Sequence, residues 1–472
     1  MKIKFCGAAG EVTGSSHLLI FNDGFKVLLD CGLFQGGVEN IDELNSTFFF
    51  NPEEIDLLIL SHAHIDHCGK IPLLVKKGFK GKIFSTHATR DLASIMLMDT
   101  AHILQKDAEY HNEKLSDRKK KNPNYKGVKV EPLYNAADVA NTMNLFVAMS
   151  YDQLMTIDEG IHLLFTDAGH ILGSASVNLR IRRAGDDLTL GFTGDIGRPD
   201  RPILQDPHPM LPSDIIISES TYGDKLHEDK PHELEQFLRI IQDTCVGRKG
   251  KVIIPAFSVG RTQELVYKLD QLVNQKRLPQ IQVYVDSPLS VNATEVFRSH
   301  PECFDFELHQ YLLKDADPFG FNSLHYIHDV AESKALNTNK EPCIIISSAG
   351  MVNAGRILHH VANNLEDERN TILFVGYCSP GTPGGALRGG ATEMKFFGEV
   401  KQVRAKIEIL DSFSAHGDQK EMLDFLSNQR NTAQKVFLVH GEEVVRPIYK
   451  KYLESYGFKN IEMPQLRQEF EI

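Results

Sequence analysis

The run Ile59-Leu60-Ser61-His62-Ala63-His64-Ile65-Asp66-His67-Cys68-Gly69 restricts the fold of this chain more than any other segment. An apolar strand ends there, and three histidines and an aspartate follow within six positions, just before a helix-like stretch from Lys70 to Lys77. Imidazoles and a carboxylate packed so closely behind a buried strand are good ligands for zinc or a similar divalent ion. The spacing lets His62 and His64 converge on one ion, while Asp66 and His67 face the other side of the turn and suit a second. The competing reading is a polar loop of surface histidines, which would not need four ligand side chains in so short a space.

Two ions require ligands from elsewhere. His170, within Thr166-Asp167-Ala168-Gly169-His170-Ile171-Leu172-Gly173-Ser174, again follows an apolar strand, and Asp195, in Phe192-Thr193-Gly194-Asp195-Ile196-Gly197, follows the next. Flanking glycines let the backbone bring both side chains to a shared centre. Asp195 is placed to bridge two ions, with a hydroxide between them as nucleophile.

The surrounding grammar changes along the chain. Short strands are expected at Ser16–Ile20, Lys26–Asp30, Asp56–Ser61, Ile161–Asp167, Ser176–Arg182 and Leu188–Phe192. Hairpin-length loops such as Asn22-Asp23-Gly24 and Ala184-Gly185-Asp186 imply antiparallel or mixed sheets. A charged segment from about Gln105 to Lys129, including Arg118-Lys119-Lys120-Lys121, reads as a helical excursion followed by an exposed loop. From about residue 224 the order becomes strand, polar loop, helix, with strands at Lys251–Phe257, Ile281–Asp286, Cys343–Ser348 and Thr371–Val375. That is the pattern of a doubly wound α/β domain. After about residue 398 the short strands return at Lys406–Leu410 and Lys435–His440. The expected organisation is an α/β module, 224–397, inserted into a host formed by 1–223 and 398–472.

Composition removes several function classes. The 472 residues suggest two or three domains at roughly 100–200 residues each. With 42% hydrophobic and 24% charged residues the chain is neither disordered nor collagenous. Lys+Arg 51 against Asp+Glu 63 leaves −12, too acidic for a generic nucleic-acid coat but compatible with an enzyme that grips phosphates locally. The seven cysteines are scattered and form no CxxC pair, as expected of reduced thiols in the cytoplasm. The first residues lack an apolar leader and no run approaches the ~20 apolar residues of a membrane span. A soluble cytoplasmic protein with no membrane partner is expected.

Taken in order, the motifs resemble a known family. HAHIDH with the later His170 and Asp195 is similar to the metallo-β-lactamase fold. Glu219 in SESTYG, His416 in DSFSAHGD and His440 in LVHGE resemble the three extra motifs of the β-CASP nucleases, as do the opening GAAGEVTGSSHLL and the LLLDCG around Asp30. That group includes the nuclease subunit of the eukaryotic mRNA 3′-end cleavage complex, with bacterial and archaeal relatives. The resemblance covers essentially the whole chain and implies an αββα sandwich carrying an inserted doubly wound β-CASP domain.

Carried over, it implies one ion on His62, His64 and His170, a second on Asp66, His67 and His440, and Asp195 between them. Two zinc ions per chain are implied, with manganese able to support related chemistry. Asp30 becomes a carboxylate behind the ligands that orients their rings. His416 becomes the general acid for the leaving oxygen, and Glu219 orients it and raises its pKa. RNA-acting members carry a histidine at the last motif, so His440 favours RNA over DNA. The inserted domain would hold RNA through Arg261, Ser347, Ser348, Gly350, Arg356, His359 and His360, at loops between strands and helices. Where relatives show a GYQ…GTxGR run, this chain has Gly376-Tyr377-Cys378 and Gly381-Thr382-Pro383-Gly384-Gly385, with the next arginine at Arg388.

The expected activity is metal-dependent hydrolysis of RNA phosphodiesters in RNA processing or decay, leaving 5′-phosphate and 3′-hydroxyl ends. Endonuclease and 5′-exonuclease action both stay open, as does a homodimer. Two other classes compete. A small-molecule metallohydrolase of the thioesterase or lactonase kind would need neither the insertion nor His416. A non-catalytic RNA-binding scaffold would have lost metal ligands, and none is missing here.

Overall fold

The computed structural model describes residues 1–36, 40–122, 127–227, 233–379, 381–410 and 415–472. Parts of two expected loops, residues 123–126 and 411–414, and Pro380 in the Gly376–Arg388 run lie outside the described residues. The chain divides into two compact units, one formed by 1–200, 206–226 and 416–472, the other by 201–205 and 227–415.

The first unit holds two seven-stranded sheets. One runs in the order Glu469–Glu471, Lys2–Phe5, His17–Ile20, Lys26–Leu29, Leu57–Ile59, Lys82–Thr86, Phe146–Met149. The other runs Ile461–Glu462, Lys435–Leu438, Ile215–Ser218, Asp186–Phe192, Ala175–Arg183, Ile161–Asp167, Met155–Asp158. Both are mixed, with hairpins at Asp23–Gly24 and Ala184–Gly185 where the sequence places turns. Alternation drives their packing: Ile3, Phe5, Leu19, Val27, Leu29 and Ile59 share one core with Leu163, Phe165, Val177, Leu179, Phe192 and Ile217. The outer face of the second sheet, through Ile216, Val436 and Leu438, packs on Met422, Leu426, Tyr449 and Leu453 of the helices Gln419–Leu426 and Arg446–Ser455. The helix His87–Lys121 covers strands Lys82–Thr86 and Phe146–Met149 of the first sheet. The result is a helix–sheet–sheet–helix sandwich.

The second unit is built on a parallel six-stranded sheet ordered Leu324–Tyr326, Gln282–Val285, Cys343–Ser347, Val252–Pro255, Thr371–Phe374, Lys406–Ile409. Its central strands are apolar on both faces, as a sheet covered on both sides requires. One strand differs from expectation. Lys406–Ile409 pairs in parallel with Thr371–Phe374 and extends this sheet, so the unit runs to Ala415 rather than ending at 397. A four-residue strand carries no mark of which sheet it joins; the register is set by a partner 35 positions away (Thr371 against Lys406).

Candidate active site

Apart from His416, which stands just before the helix Gln419–Leu426, every functional side chain expected in the first unit follows the C-terminal end of a strand. Strands Lys26–Leu29 and Leu57–Ile59 run parallel and deliver Asp30 and the His62–His67 loop side by side. Strands Asp186–Phe192, Ile215–Ser218 and Lys435–Leu438 are also mutually parallel, and deliver Asp195, Glu219 and His440. Asp30 (φ 57°) and His440 (φ 47°) take left-handed backbone, a conformation that costs L-residues energy and recurs at functional sites. Two glycines permit the close approach of the loops. A Cβ on Gly32 would lie 1.7 Å from the Asp66 carbonyl oxygen, and one on Gly197 would lie 1.9 Å from that of Gly169.

The side chains form two sets that share Asp195. In the first, His64 Nδ1 lies 3.0 Å from His62 Nε2 and 3.2 Å from His170 Nε2, and Asp195 Oδ2 is 3.5 Å from both of those Nε2 atoms. In the second, His440 Nε2 lies 3.2 Å from His67 Nε2 and 3.5 Å from Asp66 Oδ2. Asp195 Oδ1 faces this set, 3.3 Å from His67 Nε2 and 3.7 Å from His440 Nε2. Ligands held 2.0–2.1 Å from a tetrahedral ion are separated from one another by roughly 3.3 Å. The spacing of both sets is that of ligand atoms around a common centre.

The electrostatics agree. Burial holds His64 down to about 4 and drives His62 and His170 well below the usual histidine range, so these rings keep their lone pairs. Burial also opposes charge on Asp66 and Asp195, yet the surrounding histidines outweigh it, holding Asp66 near 2 and Asp195 well below the carboxylate range. His67 and His440 are pushed up against their own burial, His67 by Asp195 and Asp30 and His440 by Asp195 and Asp66. Buried carboxylates that draw protons onto neighbouring rings demand positive charge, which divalent cations supply. Asp195 Oδ1 is buried without a well-aligned hydrogen bond. The residues present therefore fit a pair of divalent ions.

Beside Asp195 lies a third grouping. His416 Nδ1 is 3.3 Å from Glu219 Oε2 and 4.0 Å from Asp195 Oδ2. Glu219 is fully buried; its Oε1 accepts the Ile196 amide and its own amide donates to Thr193 Oγ1 at 3.0 Å. Burial disfavours a charged His416, but the Glu219 carboxylate, with Asp195 and Asp66 behind it, raises it to about 9. The ring is half-buried and edged by Tyr222, and the backbone beside it is fixed by the Gly417 amide, which donates to the Ile196 carbonyl at 2.8 Å.

Asp30 lies behind the histidines. Its Oδ2 is 2.7 Å from His67 Nδ1 and accepts from Ser15 and Ser61 hydroxyls, each at 3.0 Å. Three supporting residues were not singled out in the sequence: Ser15, Ser61, whose Oγ is 3.1 Å from His62 Nδ1, and Thr221, whose Oγ1 is 3.0 Å from His440 Nδ1. All three stand inside the motif runs quoted above, and only their partners make the role visible. Such contacts fix which ring nitrogen is free for a ligand role.

In the second unit the expected RNA-contacting residues divide. Buried Asp286, at the end of strand Gln282–Val285, binds Arg356 NH1 and His360 Nε2 at 2.6 Å each, and its backbone oxygen accepts the Ser347 hydroxyl at 2.7 Å. His360, fully buried and also 2.9 Å from Asn337 Oδ1, braces the loop from within and cannot itself meet an RNA. Ser347 is likewise buried. Arg356 also donates to the Ile327 and His328 carbonyls. Ser348 pairs with Ser287 at 2.8 Å, Gly350 packs near Phe257, and His359 is exposed and stacked on Phe397. Arg261 pairs with Glu264, which also holds Arg201. Arg388 reaches back to the Gly376 carbonyl, so its guanidinium lies beside the altered run.

Comparison with known proteins bears on this arrangement. Residues 18–184 match a metallo-beta-lactamase superfamily domain, 262–387 a Beta-Casp domain, and 400–464 a Zn-dependent metallo-hydrolase RNA specificity domain. Ribonuclease TTHA0252 of Thermus thermophilus is 34% identical over 94% of both chains. The chain belongs to the β-CASP family of the metallo-β-lactamase superfamily. Other β-CASP relatives include transcription termination factor FttA of Methanosarcina mazei, 29% identical over 99% of this chain and 72% of that protein. Cleavage and polyadenylation specificity factor 73 of Drosophila melanogaster is 30% identical over 94% of this chain and 60% of its own length. Among the described residues of this β-CASP protein, no helix is long and apolar enough to cross a membrane.

Proposed function

We propose that this protein is a metal-dependent ribonuclease that hydrolyses RNA phosphodiesters in RNA processing or decay. The observation that carries the reading is the pair of ligand sets sharing Asp195, with His416 and Glu219 alongside. His62, His64, His170 and Asp195 would hold one zinc ion, and Asp66, His67, His440 and Asp195 the other. When bound, such a pair activates water as a nucleophile and offsets charge on the phosphoryl oxygens. Glu219 keeps His416 protonated, ready to donate its proton to the departing 3′ oxygen. Asp30 and Thr221 keep the rings of His67 and His440 aimed inward. Ser348, Gly350 and Arg261 of the inserted unit are the residues we assign to the RNA backbone. All seven cysteines are buried and none is joined in a disulfide, which supports a reducing compartment, and we place the enzyme in the cytoplasm.

Incubating the protein with 5′-labelled RNA, with and without a chelator, tests this. The expected products carry 5′-phosphate and 3′-hydroxyl ends and vanish on chelation. Cyclic phosphate ends, or cleavage indifferent to chelation, would point to attack by the RNA's own 2′-hydroxyl and reject the reading.

A further inference from the structure

The helix His87–Lys121 is 35 residues long, and packing accounts for only part of it. It starts at the candidate active site. Thr86 caps it by accepting the Thr89 amide at 3.1 Å, and the Thr86 and Thr89 hydroxyls each donate to the Gly173 carbonyl at 2.7 Å, in the loop that carries His170. Farther along, Ala101, Ala108 and Leu115 form a buried stripe, and the returning chain is tied to it where Asn112 exchanges two hydrogen bonds with the backbone of Val130. Beyond Leu115 every residue to Asn122 is exposed.

That exposed end is basic in a chain whose net charge is −12. Lys114, Arg118, Lys119, Lys120, Lys121 and Lys129 lie there, against one described acid between them, Asp117, which pairs with Lys120. Cations in a last turn complement the helix dipole, but one or two suffice for that. Tyr110, 59% exposed, adds an aromatic face with Lys114 over its ring at 4.2 Å. Exposed cations beside an aromatic ring are the means by which proteins hold single-stranded nucleic acid without reading its sequence.

We propose that this basic helix end binds the backbone of single-stranded RNA at a distance from the cut site. At 1.5 Å per residue, Lys114 to Lys121 lie about 40–50 Å along the helix from Thr86. An RNA reaching both ends needs about 12–15 nucleotides if stacked at ~3.4 Å each. The helix therefore acts only on long substrates, extending the ribonuclease reading on which it rests.

The test is the full-length protein carrying Arg118→Gln, Lys119→Gln, Lys120→Gln and Lys121→Gln, compared with a control in which the three lysines become arginine. Binding and cleavage are measured on single-stranded RNAs of about 6 and about 40 nucleotides over a range of salt. The glutamine variant should bind the long RNA roughly tenfold more weakly at low salt, with the salt slope reduced by up to about 3. Its kcat/KM on the short RNA should not change, and the arginine control should match the parent. An unchanged slope on the long RNA, or equal losses on both lengths, would overturn the proposal. So would a change of oligomeric state with RNA affinity intact, which would make the surface a protein contact. Helix-dependent binding without any cleavage would instead refute the ribonuclease reading and leave this inference standing.

Discussion

His416 and His440 lie in one cluster with ring centroids 6.1 Å apart, yet their neighbours assign them different work. His440 Nε2 faces His67, Asp66 and Asp195, whereas His416 Nδ1 faces Glu219. Removing a general acid typically costs ~10²–10⁴ in rate and leaves the ground-state site intact. His416→Ala should therefore keep both metals, bind RNA and cut slowly, while His440→Ala should loosen one metal and recover partly in excess metal. Metal content by mass spectrometry with single-turnover cleavage checks both; loss of metal from His416→Ala but not from His440→Ala would exchange the roles. On the proposed role of His416 as general acid, its protonated form is the competent one. The kcat should therefore fall as pH rises through the His416 pKa, which, against its burial, the Glu219 carboxylate raises above the ordinary histidine value. In Glu219→Gln the carboxylate that favours the imidazolium is gone, and that fall should move to lower pH, toward the ordinary histidine value near 6.5. An alkaline limb that stays in place would separate Glu219 from His416. These residues were legible because each ligand follows an apolar strand and stands among small or polar neighbours. His360 was not, since the carboxylate that buries it, Asp286, comes from another strand 74 positions earlier.

The short helix Gln419–Leu426 shows how an element sets a site residue. Asp418 accepts the Lys420 and Glu421 amides at 2.9 Å each, and Glu421 returns a carboxylate to the Asp418 amide at 2.8 Å, a capping box that begins two residues after His416. Glu421 also binds Arg198, on the loop following Asp195. Asp418→Ala should cost about 1 kcal/mol of stability. Because the cap fixes where His416 leaves the chain, kcat should fall while metal content holds. Denaturant melts and single-turnover rates measure the two effects; a stability loss with unchanged kcat would show that the cap does not position His416. Strand composition and turn residues made several elements readable, including the mixed sheets and the parallel sheet of the second unit. They did not mark strands such as Lys2–Phe5, Lys82–Thr86, Ile215–Ser218 and Leu324–Tyr326, nor the first half of the helix His87–Lys121, whose start the sequence places near Gln105. Lys406–Ile409 was misplaced because its four residues fit either sheet, and only its pairing with Thr371–Phe374 decides.

At the scale of the molecule, the insertion separates parts of one site. The first unit draws His62 to Glu219 from before residue 227 and His416 and His440 from after residue 415, so its centre exists only when both ends of the chain have folded together. An acidic chain with a net charge of −12 that must act on a polyanion depends on cations at that centre. The most direct test titrates zinc into metal-stripped protein while measuring bound metal and cleavage of a labelled RNA on the same samples. Activity should rise only as binding approaches two equivalents per chain, and a chelator should reverse it. Full activity in protein containing well below one equivalent of metal would contradict the account.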